Sequence, residues 1–261
     1  MKLIIRNKGG FGNQLFIYAF YLFLKNKFPN HKIVIENISG FLRNKFVYWH
    51  IQTNRPLLNN FFNIKRSNIL DTLKVYFSRI SSASKFIKIN YFLGDKTNWD
   101  EANFLNDTII EGYFQNYSLF KDQLLLVKDQ LNKIVFNKNE RLENDIAIQI
   151  RANDYNYKID LNYIRNAISK FESINKDQIY IYSDNLNWCE KNLNFIKNKV
   201  LINSGNDIND LFLLSRHVNV ILTIGTYGWW GAFLGAENKR VIYPKNKIHD
   251  KKFYPNNWES I

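Results

Sequence analysis

Two charged residues that could act on a phosphate follow an apolar run in the middle of the chain. Arg151 and Asp154 come after Ile148-Gln149-Ile150, which has the composition of a buried strand. A guanidinium group at a strand end can hold a diphosphate through two hydrogen bonds and offset the charge that builds on it as it leaves. An ion pair between Arg151 and Asp154 that only fixes the loop explains the same residues equally well.

A second segment, Thr223 to Ala232, combines the end of a strand with the start of a helix. Gly225 ends the predicted strand, and the predicted helix begins at Thr226. The threonine hydroxyl and the first-turn amides, including those of Tyr227 and Gly228, could bind an anion at the positive end of the helix dipole. The two tryptophans that follow fit core packing better than a stacking platform.

Glycines form a turn between the first predicted strand and helix, in Gly9-Gly10-Phe11-Gly12-Asn13-Gln14. Gly10 and Gly12 allow the backbone to approach a phosphate or a sugar closely, ahead of a helix N-terminus. With Glu36 at the end of the next strand, the turn resembles a dinucleotide-binding fingerprint, although Leu15 stands where the third glycine belongs. A turn with a purely structural role is the alternative.

A further predicted strand ends at Tyr182 and leads into Ser183, Asp184 and Asn185. A hydroxyl and a carboxylate at this point suit a ribose or the edge of a guanine. A helix N-cap at Ser183 or Asp184 explains these residues equally well.

The four segments lie at the ends of strands in a pattern of alternating strands and helices. Residues 1–36 form the opening of a β-α-β unit, and strands alternate with helices from Ile146 to Tyr243. This alternation predicts an α/β fold of two Rossmann-like domains, each with a parallel sheet covered on both faces. Ligands of such sheets bind at the carboxyl ends of the strands, so the four loops are where we expect chemistry.

The domain boundaries are predicted from a helical pattern that ends in a polar segment. We expect an N-terminal domain over residues 1–120, a connecting helix and linker over 121–143, and a C-terminal domain over 144–261. Residues 37–110 are irregular and rich in aromatic side chains. Their elements are left unassigned.

Positive charge is concentrated in the first third of the chain. Residues 1–88 hold 15 Lys and Arg but only Glu36 and Asp71 as acids, whereas residues 89–261 hold 21 of each sign. A functional basic face would suit an anionic acceptor or lipid head groups, and a Lys- and Asn-rich composition without functional meaning is the alternative.

The composition also bears on metals and location. Cys189 is the single cysteine, and the four histidines are scattered, so neither a disulfide nor a metal-site spacing is present. The longest apolar run, Leu15 to Leu24, is about half the length that crosses a bilayer, and no secretory signal pattern precedes the first strand. We expect no metal and a cytoplasmic location, peripheral at the inner face of the membrane.

The four segments, in this order and spacing, resemble the α-1,2-fucosyltransferase family. GGFGNQLFIYA is similar to the family's G-G-x-G-N-Q-x-F-x-Y-A, QIRANDY to its H-x-R-R-G-D-Y, and YSDNLNWC to its S-D-D followed by a tryptophan. TIGTYGWWGA combines the T-I-G-T-F-G of animal members with the W-W-G-A of bacterial ones. The resemblance covers nearly all of the chain except residues 37–105, where acceptor recognition is expected, so it bears on the donor more than on the acceptor.

The resemblance implies a GT-B-like fold with two Rossmann-like domains facing a cleft. It implies an inverting transferase that moves L-fucose from GDP-β-L-fucose to a glycan hydroxyl, O2 of galactose, without a metal or other cofactor. By position, Arg151 is the residue that stabilises the diphosphate, Asp154 is the nearest candidate base, and Asn13 is a further candidate catalytic residue that borders the fucose. The expected donor-binding residues are Gly10, Gly12, Gln149, Ser183, Asp184, Asn185, Gly225, Thr226, Tyr227 and Gly228.

The chain departs from the family pattern around the arginine. The motif's histidine is Gln149, its second arginine is Ala152 and its glycine is Asn153, and Asn185 replaces the second aspartate of S-D-D. Arg151 itself matches, so donor chemistry is expected to persist. The loss of an ionisable histidine and of a second cation leaves the base and the rate open, and a family member that binds donor without turnover is one alternative.

Two other classes of protein stay open. A nucleotide-dependent oxidoreductase would use the glycine turn and Glu36, but it leaves Arg151 and the Thr223–Ala232 segment unexplained. A basic nucleic-acid-binding module fits the pI of about 9.6, but no recognisable nucleic-acid motif is present, so nucleic acid is not expected as a partner. The expected partners are GDP-fucose, a lipid-linked glycan acceptor and, through the basic N-terminal half, the membrane surface.

Overall fold

The chain folds into two compact units, Met1–Val127 and Lys128–Ile261, each built on one parallel sheet. The structure is a computed structural model. It describes residues 1–41, 57–65, 67–78, 90–94, 98–99, 102, 104, 106–135, 142–153, 158–171, 178–245 and 249–261. The predicted α/β class is confirmed by the parallel sheets.

The first unit has a four-stranded sheet in the order β2-β1-β4-β3, with every pair parallel. Its elements are β1 (Lys2–Arg6), α1 (Phe11–Lys27), β2 (Lys32–Glu36), a 3₁₀ turn (Leu58–Asn60), α2 (Ile69–Ser78), β3 (Asn90–Leu93) and β4 (Thr108–Glu111). The β-α-β opening predicted from residues 1–36 is present as β1, α1 and β2. Of these elements, the 3₁₀ turn, α2 and β3 lie in the stretch that the sequence pattern left unassigned, and β4 begins at its end.

Helix α2 packs on one face of this sheet. Its Val75 is fully buried against Ile4, Val34 and Ile109, which come from β1, β2 and β4. These three residues share a face because they occupy matching positions in the parallel register. The sheet is therefore apolar on this face, as expected for a parallel sheet covered by helices.

Helix α3 (Tyr117–Val135) runs across the boundary between the two units and is kinked at Phe120, whose φ and ψ of −112° and 19° are not helical. The sequence pattern predicts a connecting helix in this region. The boundary at residues 127/128 falls inside that helix.

The second unit has a six-stranded sheet in the order β10-β9-β8-β5-β6-β7, again wholly parallel. Its elements are β5 (Leu142–Ile150), α4 (Leu161–Ser169), β6 (Ile179–Ser183), α5 (Leu186–Asn192), β7 (Lys199–Ile202), α6 (Asp207–Leu214), β8 (His217–Leu222), α7 (Thr226–Phe233), β9 (Arg240–Tyr243), a 3₁₀ turn (Lys251–Phe253) and β10 (Glu259–Ser260). The alternation of strands and helices predicted from the sequence is present from β5 to β9.

The strand order of the second unit creates a switch point between β5 and β8. The chain moves outward from β5 through β6 to β7, then returns to the other side of β5 to form β8, β9 and β10. The loops that leave β5 and β8 therefore diverge, and open α/β sheets bind ligands in the crevice that this divergence leaves. Arg151 follows β5 and Gly225 precedes α7, so two of the predicted segments border this point.

The tryptophan pair of α7 belongs to the core. Trp229 and Trp230 are both fully buried, and the indole N–H of Trp229 donates to the carbonyl of Phe253 at 2.9 Å. The preference for core packing over a stacking platform is confirmed. Among the described residues, no helix is long and apolar enough to span a bilayer.

We predict that His217, at the start of β8, makes the second unit sensitive to acid. The ring is buried, its Nε2 lies 3.0 Å from the Tyr182 hydroxyl, and burial lowers the pKa of His217 from 6.5 to about 3. Between these values the unfolded chain binds a proton that the folded chain does not, so the free energy of unfolding falls as the pH drops. This residue contributes a slope of up to about 1.4 kcal/mol per pH unit.

Denaturant unfolding at a series of pH values between about 6.5 and 3 measures this slope. His217→Gln keeps a polar side chain near Tyr182 but does not titrate, so its curve should be flatter than that of the wild type. Equal slopes for the two proteins would contradict the prediction.

Candidate functional site

The loops after β5 and β8 are tied together at the switch point by Thr223. Its hydroxyl accepts a hydrogen bond from the backbone N–H of Arg151 at 2.9 Å, and its own N–H donates to the carbonyl of Gln149 at 3.0 Å. Thr223 is fully buried. Thr223 thus fixes the backbone of Arg151 from the neighbouring strand. This role was not predicted from the motif.

The side chain of Arg151 is positioned by Asp184, which follows β6. The Arg151 Nη1 lies 2.8 Å from the Asp184 Oδ2, and half of the arginine side chain is exposed. An ion pair of Arg151 was one interpretation of the sequence, with Asp154 as its partner. The described partner is Asp184, and Asp154 lies outside the described residues.

Asp184 also holds the loop that carries the arginine. Its Oδ1 accepts the N–H of Ala152 at 2.7 Å, and its backbone carbonyl accepts the Asn153 side-chain amide at 2.9 Å. Through these hydrogen bonds, Asp184 holds the backbone of residues 151–153 in place. Asp184 therefore contributes to the site by fixing Arg151, and its predicted contact with a ribose or guanine stays a prediction.

Asn185 begins helix α5. Its Oδ1 accepts the N–H of Trp188 at 3.0 Å, which makes it the N-cap. Its Nδ2 donates to the Asn153 Oδ1 at 3.0 Å, and its N–H donates to the Ser183 hydroxyl at 3.1 Å. The N-cap expected at Ser183 or Asp184 is therefore corrected to Asn185.

The start of helix α7 is open to a ligand. Gly225 is its N-cap, with a φ of 98°, a left-handed value that favours glycine, and it supplies no side-chain hydrogen bond to the first turn. A Cβ at Gly225 would meet nothing within 4 Å. Gly225, Thr226 and Tyr227 are partly exposed, so amides at the positive end of the helix dipole lie at the surface next to the switch point.

Side chains from the rest of the unit hold α7 in place. The Tyr227 hydroxyl donates to the carbonyl of Asp207, at the start of α6, at 2.7 Å. The buried amine of Lys239 donates to the carbonyls of Ser215 and Gly231 at 2.6 and 3.2 Å. Burial lowers the pKa of Lys239 well below its usual value. These bonds join α6 to α7 and fix the direction in which α7 points its N-terminus.

Gln149 lies beneath the first turn of α7 and is only 4% exposed. A Cβ added to Gly228 would come within 2.3 Å of the Gln149 Oε1. That oxygen has no hydrogen-bond partner in the part of the chain that the structure describes. The Gln149 side chain therefore packs against the predicted phosphate-binding turn. This packing requires glycine at position 228, because a larger residue there would overlap Gln149.

The glycine turn of the first unit is closed by a side chain inside α1. Gly9 has a left-handed φ of 81°. The Gln14 amide donates to the Gly9 carbonyl at 2.9 Å, and the Gln14 Oε1 accepts the N–H of Leu57 at 2.9 Å. Gly10 is the N-cap of α1 and has open space around it, whereas Gly12 is buried in the helix. The role of Gln14 was not recognised from the sequence.

Asn13 contacts a strained segment that follows β4. Its Oδ1 accepts the side-chain amide of Gln115 at 2.9 Å. The preceding Phe114 has a φ of 53°, an uncommon value for an aromatic residue, and its ring stacks on Phe20 at a centroid distance of 3.6 Å. Packing of the ring therefore holds Gln115 beside Asn13.

Glu36 is not available to a ribose. It is fully buried, and its carboxylate accepts the N–H groups of Ile38 and Ser39 at 2.7 and 2.9 Å and the Thr72 hydroxyl at 3.0 Å. The acidic residue of a dinucleotide fingerprint must face the ribose. The oxidoreductase interpretation therefore loses one of the two observations on which it rested.

No group of three or more His, Cys, Asp or Glu side chains that could hold a metal ion comes together within the described ranges. Among the residues that the structure describes at the switch point, Arg151 and Asp184 are the charged pair. This arrangement presents a guanidinium group and a helix N-terminus to an anionic ligand.

The comparison with protein families agrees with this kind of site. Residues 2–261 match the profile of glycosyl transferase family 11, and the chain belongs to this family. It is a glycosyltransferase similar to galactoside α-1,2-fucosyltransferases. The resemblance drawn from the four motifs is confirmed.

Relatives include bacterial and animal proteins. The chain is 26% identical to the O-antigen biosynthesis glycosyltransferase WbnK of Escherichia coli, over 91% of this chain and 92% of the relative. It is 23% identical to galactoside alpha-(1,2)-fucosyltransferase 1 of Oryctolagus cuniculus, over 89% of this chain and 64% of the relative. With galactoside alpha-(1,2)-fucosyltransferase 2 of Bos taurus, identity is 28% over 35% of this chain and 30% of the relative. The chain thus spans less than two thirds of these animal enzymes.

Solved structures with a similar backbone are less similar in sequence to this chain than the relatives above. NodZ alpha-1,6-fucosyltransferase from Bradyrhizobium, in a crystal soaked with GDP-fucose, aligns with a TM-score of 0.49 and 13% identity over 89% of this chain and 92% of that one. E. coli heptosyltransferase WaaC with ADP aligns with a TM-score of 0.47 and 10% identity over all of this chain and 92% of that one.

We predict that Gly228→Ala disrupts the first turn of α7. The new methyl group would overlap the buried Gln149 side chain, so the variant should lose about 1–3 kcal/mol of unfolding free energy and bind GDP more weakly. Adding Gln149→Ala to Gly228→Ala removes the overlap and should recover part of the loss. Denaturant unfolding and calorimetric GDP titration of both single variants and the double variant measure the coupling. Strictly additive effects would contradict the packing role.

Proposed function

We propose that the protein is an inverting fucosyltransferase that moves L-fucose from GDP-β-L-fucose to a hydroxyl of a glycan acceptor, O2 of galactose. The observation that carries the proposal is that Arg151 and the N-terminus of α7 follow the neighbouring strands β5 and β8 at the switch point of the second unit. Membership of glycosyl transferase family 11 supports it. The names of the animal relatives, galactoside alpha-(1,2)-fucosyltransferases, support fucose and galactose as the sugars.

The proposed phosphate site uses the two sides of the switch point. The Thr226 hydroxyl and the amides of Tyr227 and Gly228 bind the β-phosphate at the helix N-terminus. Arg151 reaches the diphosphate through its exposed guanidinium group, which Asp184 holds at 2.8 Å. Such a fixed cation costs little reorganisation when charge develops on the leaving group. Ser183, Asp184 and Asn185 lie by the nucleoside in this proposal.

The proposed reaction is a single displacement at the anomeric carbon. The acceptor hydroxyl attacks as the bond from that carbon to the β-phosphate oxygen breaks, so the configuration inverts and GDP leaves with the bonding electrons. The transition state has oxocarbenium character, and the positive groups around the diphosphate stabilise its negative charge. The hydroxyl proton passes to a base, for which Asp154 stays the candidate by sequence position.

The remaining family-based roles also belong to this proposal. Gly10, Gly12 and Asn13 border the fucose, and no divalent metal takes part. The acceptor is a glycan attached to a lipid, in keeping with the similarity to a bacterial O-antigen biosynthesis glycosyltransferase. The two units form a GT-B-like enzyme in this proposal.

We predict that GDP binds to the protein with an affinity that a chelator does not change. Calorimetric titration with GDP, with and without the chelator EDTA, measures this, and the same titration with NAD is the control for the oxidoreductase alternative. Binding of NAD in place of GDP would revive that alternative. Absence of binding to either nucleotide would contradict the donor site, and loss of GDP binding on chelation would contradict metal independence.

We predict that Arg151→Ala lowers the turnover number by about a hundredfold to a thousandfold, because the variant leaves the departing diphosphate without its guanidinium group. Transfer from GDP-fucose to a panel of galactosides measures the rate. Arg165→Ala is the matched control, because it removes an exposed positive charge from α4 of the same unit. Full turnover by Arg151→Ala would contradict the mechanism.

The variant Asp154→Asn tests the candidate base in the same assay. Full turnover by this variant would show that Asp154 is not the base.

A further inference from the structure

Helix α2 of the first unit turns its apolar side chains outward. Five large apolar residues on the helix are between 40% and 63% exposed: Ile69, Leu70, Leu73, Tyr76 and Phe77. At about 100° per residue these five positions form one continuous arc of about 120°. We call this arc the α2 outer face.

The opposite side of the helix is anchored firmly to the unit. Asp71 and Thr72 are buried, with Asp71 paired to Lys2 and Thr72 donating to Glu36 at 3.0 Å. Val75 adds an apolar contact with the sheet. A helix on the surface of a soluble protein normally buries its apolar stripe and exposes its polar one. Here a large part of the apolar stripe is outside, so the α2 outer face has the character of an interaction surface.

Positive charge predominates in this part of the sequence, although Lys74 of α2 is paired with the partly exposed Asp107 at 3.1 Å. Residues 1–88 contain 15 Lys and Arg and two acids, and both acids are internal: Glu36 is fully buried and Asp71 is 2% exposed. Asp71 offsets Lys2 alone, and the Glu36 carboxylate accepts neutral N–H and O–H donors. Lys65, just before α2, is exposed and shares a cleft with Lys25 and Lys32.

We infer that the protein docks on an anionic lipid bilayer through the α2 outer face, with α2 lying in the plane of the interface. Leucine, isoleucine and aromatic side chains enter the boundary between head groups and acyl chains, and the surrounding lysines contact the anionic head groups. This combination of an exposed apolar arc with basic flanks is typical of helices that lie on membranes.

The charge favours a bilayer over a second copy of the chain as the occupant. A symmetric pair would place two basic surfaces against each other, and their repulsion would oppose association. An anionic bilayer attracts the same surface. The inference goes beyond the proposed function and does not depend on the donor, although a membrane position would bring the enzyme to a lipid-linked acceptor.

Sedimentation with vesicles tests the inference on the full chain. The protein should bind vesicles of equal parts phosphatidylcholine and phosphatidylglycerol, bind pure phosphatidylcholine vesicles much more weakly, and dissociate as salt is raised. The double variant Leu70→Ser/Leu73→Ser should lose about tenfold or more in vesicle affinity. Lys65→Glu should weaken binding to the anionic vesicles alone.

Leu126→Ser is the matched control, because Leu126 is a leucine of α3 that is 50% exposed but lies outside the α2 outer face. GDP titration and circular dichroism of each variant separate a docking defect from a folding or donor-site defect. The inference would be overturned if the wild-type protein did not bind anionic vesicles. It would also be overturned if the double variant bound them with wild-type affinity. A dimer in sedimentation velocity that only the double variant abolishes, without vesicle binding, would assign the face to self-association instead.

Discussion

Strand β5 has a hydrogen-bonded neighbour on each side, β8 on one and β6 on the other, and the candidate site depends on this. A strand held on both edges has little freedom, so the residue that follows it starts from a fixed point. Thr223 from the β8 side binds the backbone of Arg151, and Asp184 from the β6 side binds its guanidinium group. The guanidinium group of Arg151 is thereby positioned by residues that follow both neighbouring strands. The N-terminus of α7 lies at the same edge of the sheet because α7 begins shortly after β8.

Carboxylates at strand ends have a common role in the two units. Asp184 after β6 and Glu36 at the end of β2 both accept backbone N–H groups of nearby loops, and Glu111 at the end of β4 pairs with Arg6 and Lys8 at 2.7 Å each. Loops after parallel strands contain donors that the sheet does not satisfy, and a carboxylate at the strand end can bind several of them at once. Acidic residues in such positions therefore organise loops as readily as they contact ligands.

Much of the fold and the place of the site could be predicted from the sequence, because both depend on local patterns. Alternating apolar strands and helices predict parallel sheets, and strand ends predict where the motifs gather. Side-chain partners depend on loops far apart in the chain, so neither the Arg151–Asp184 pair nor the bond from the Leu57 N–H to the Gln14 Oε1 could be predicted from spacing. Burial was equally hidden: the packing of Gln149 beneath Gly228 depends on the approach of α7 to β5, which spacing does not show. The outward face of α2 was missed because α2 lies in residues 37–110, where the irregular, aromatic-rich pattern left the elements unassigned.

The exposed apolar arc of α2 also has a consequence for how molecules of this protein behave toward one another in solution. The formal net charge of +13 keeps separate molecules apart at low ionic strength. Added salt shortens the range of that repulsion to about 8 Å near physiological ionic strength, while the attraction between apolar surfaces is left in place. Colloidal stability should therefore decline as salt is added, the reverse of what a protein with a fully polar surface and balanced charges would show.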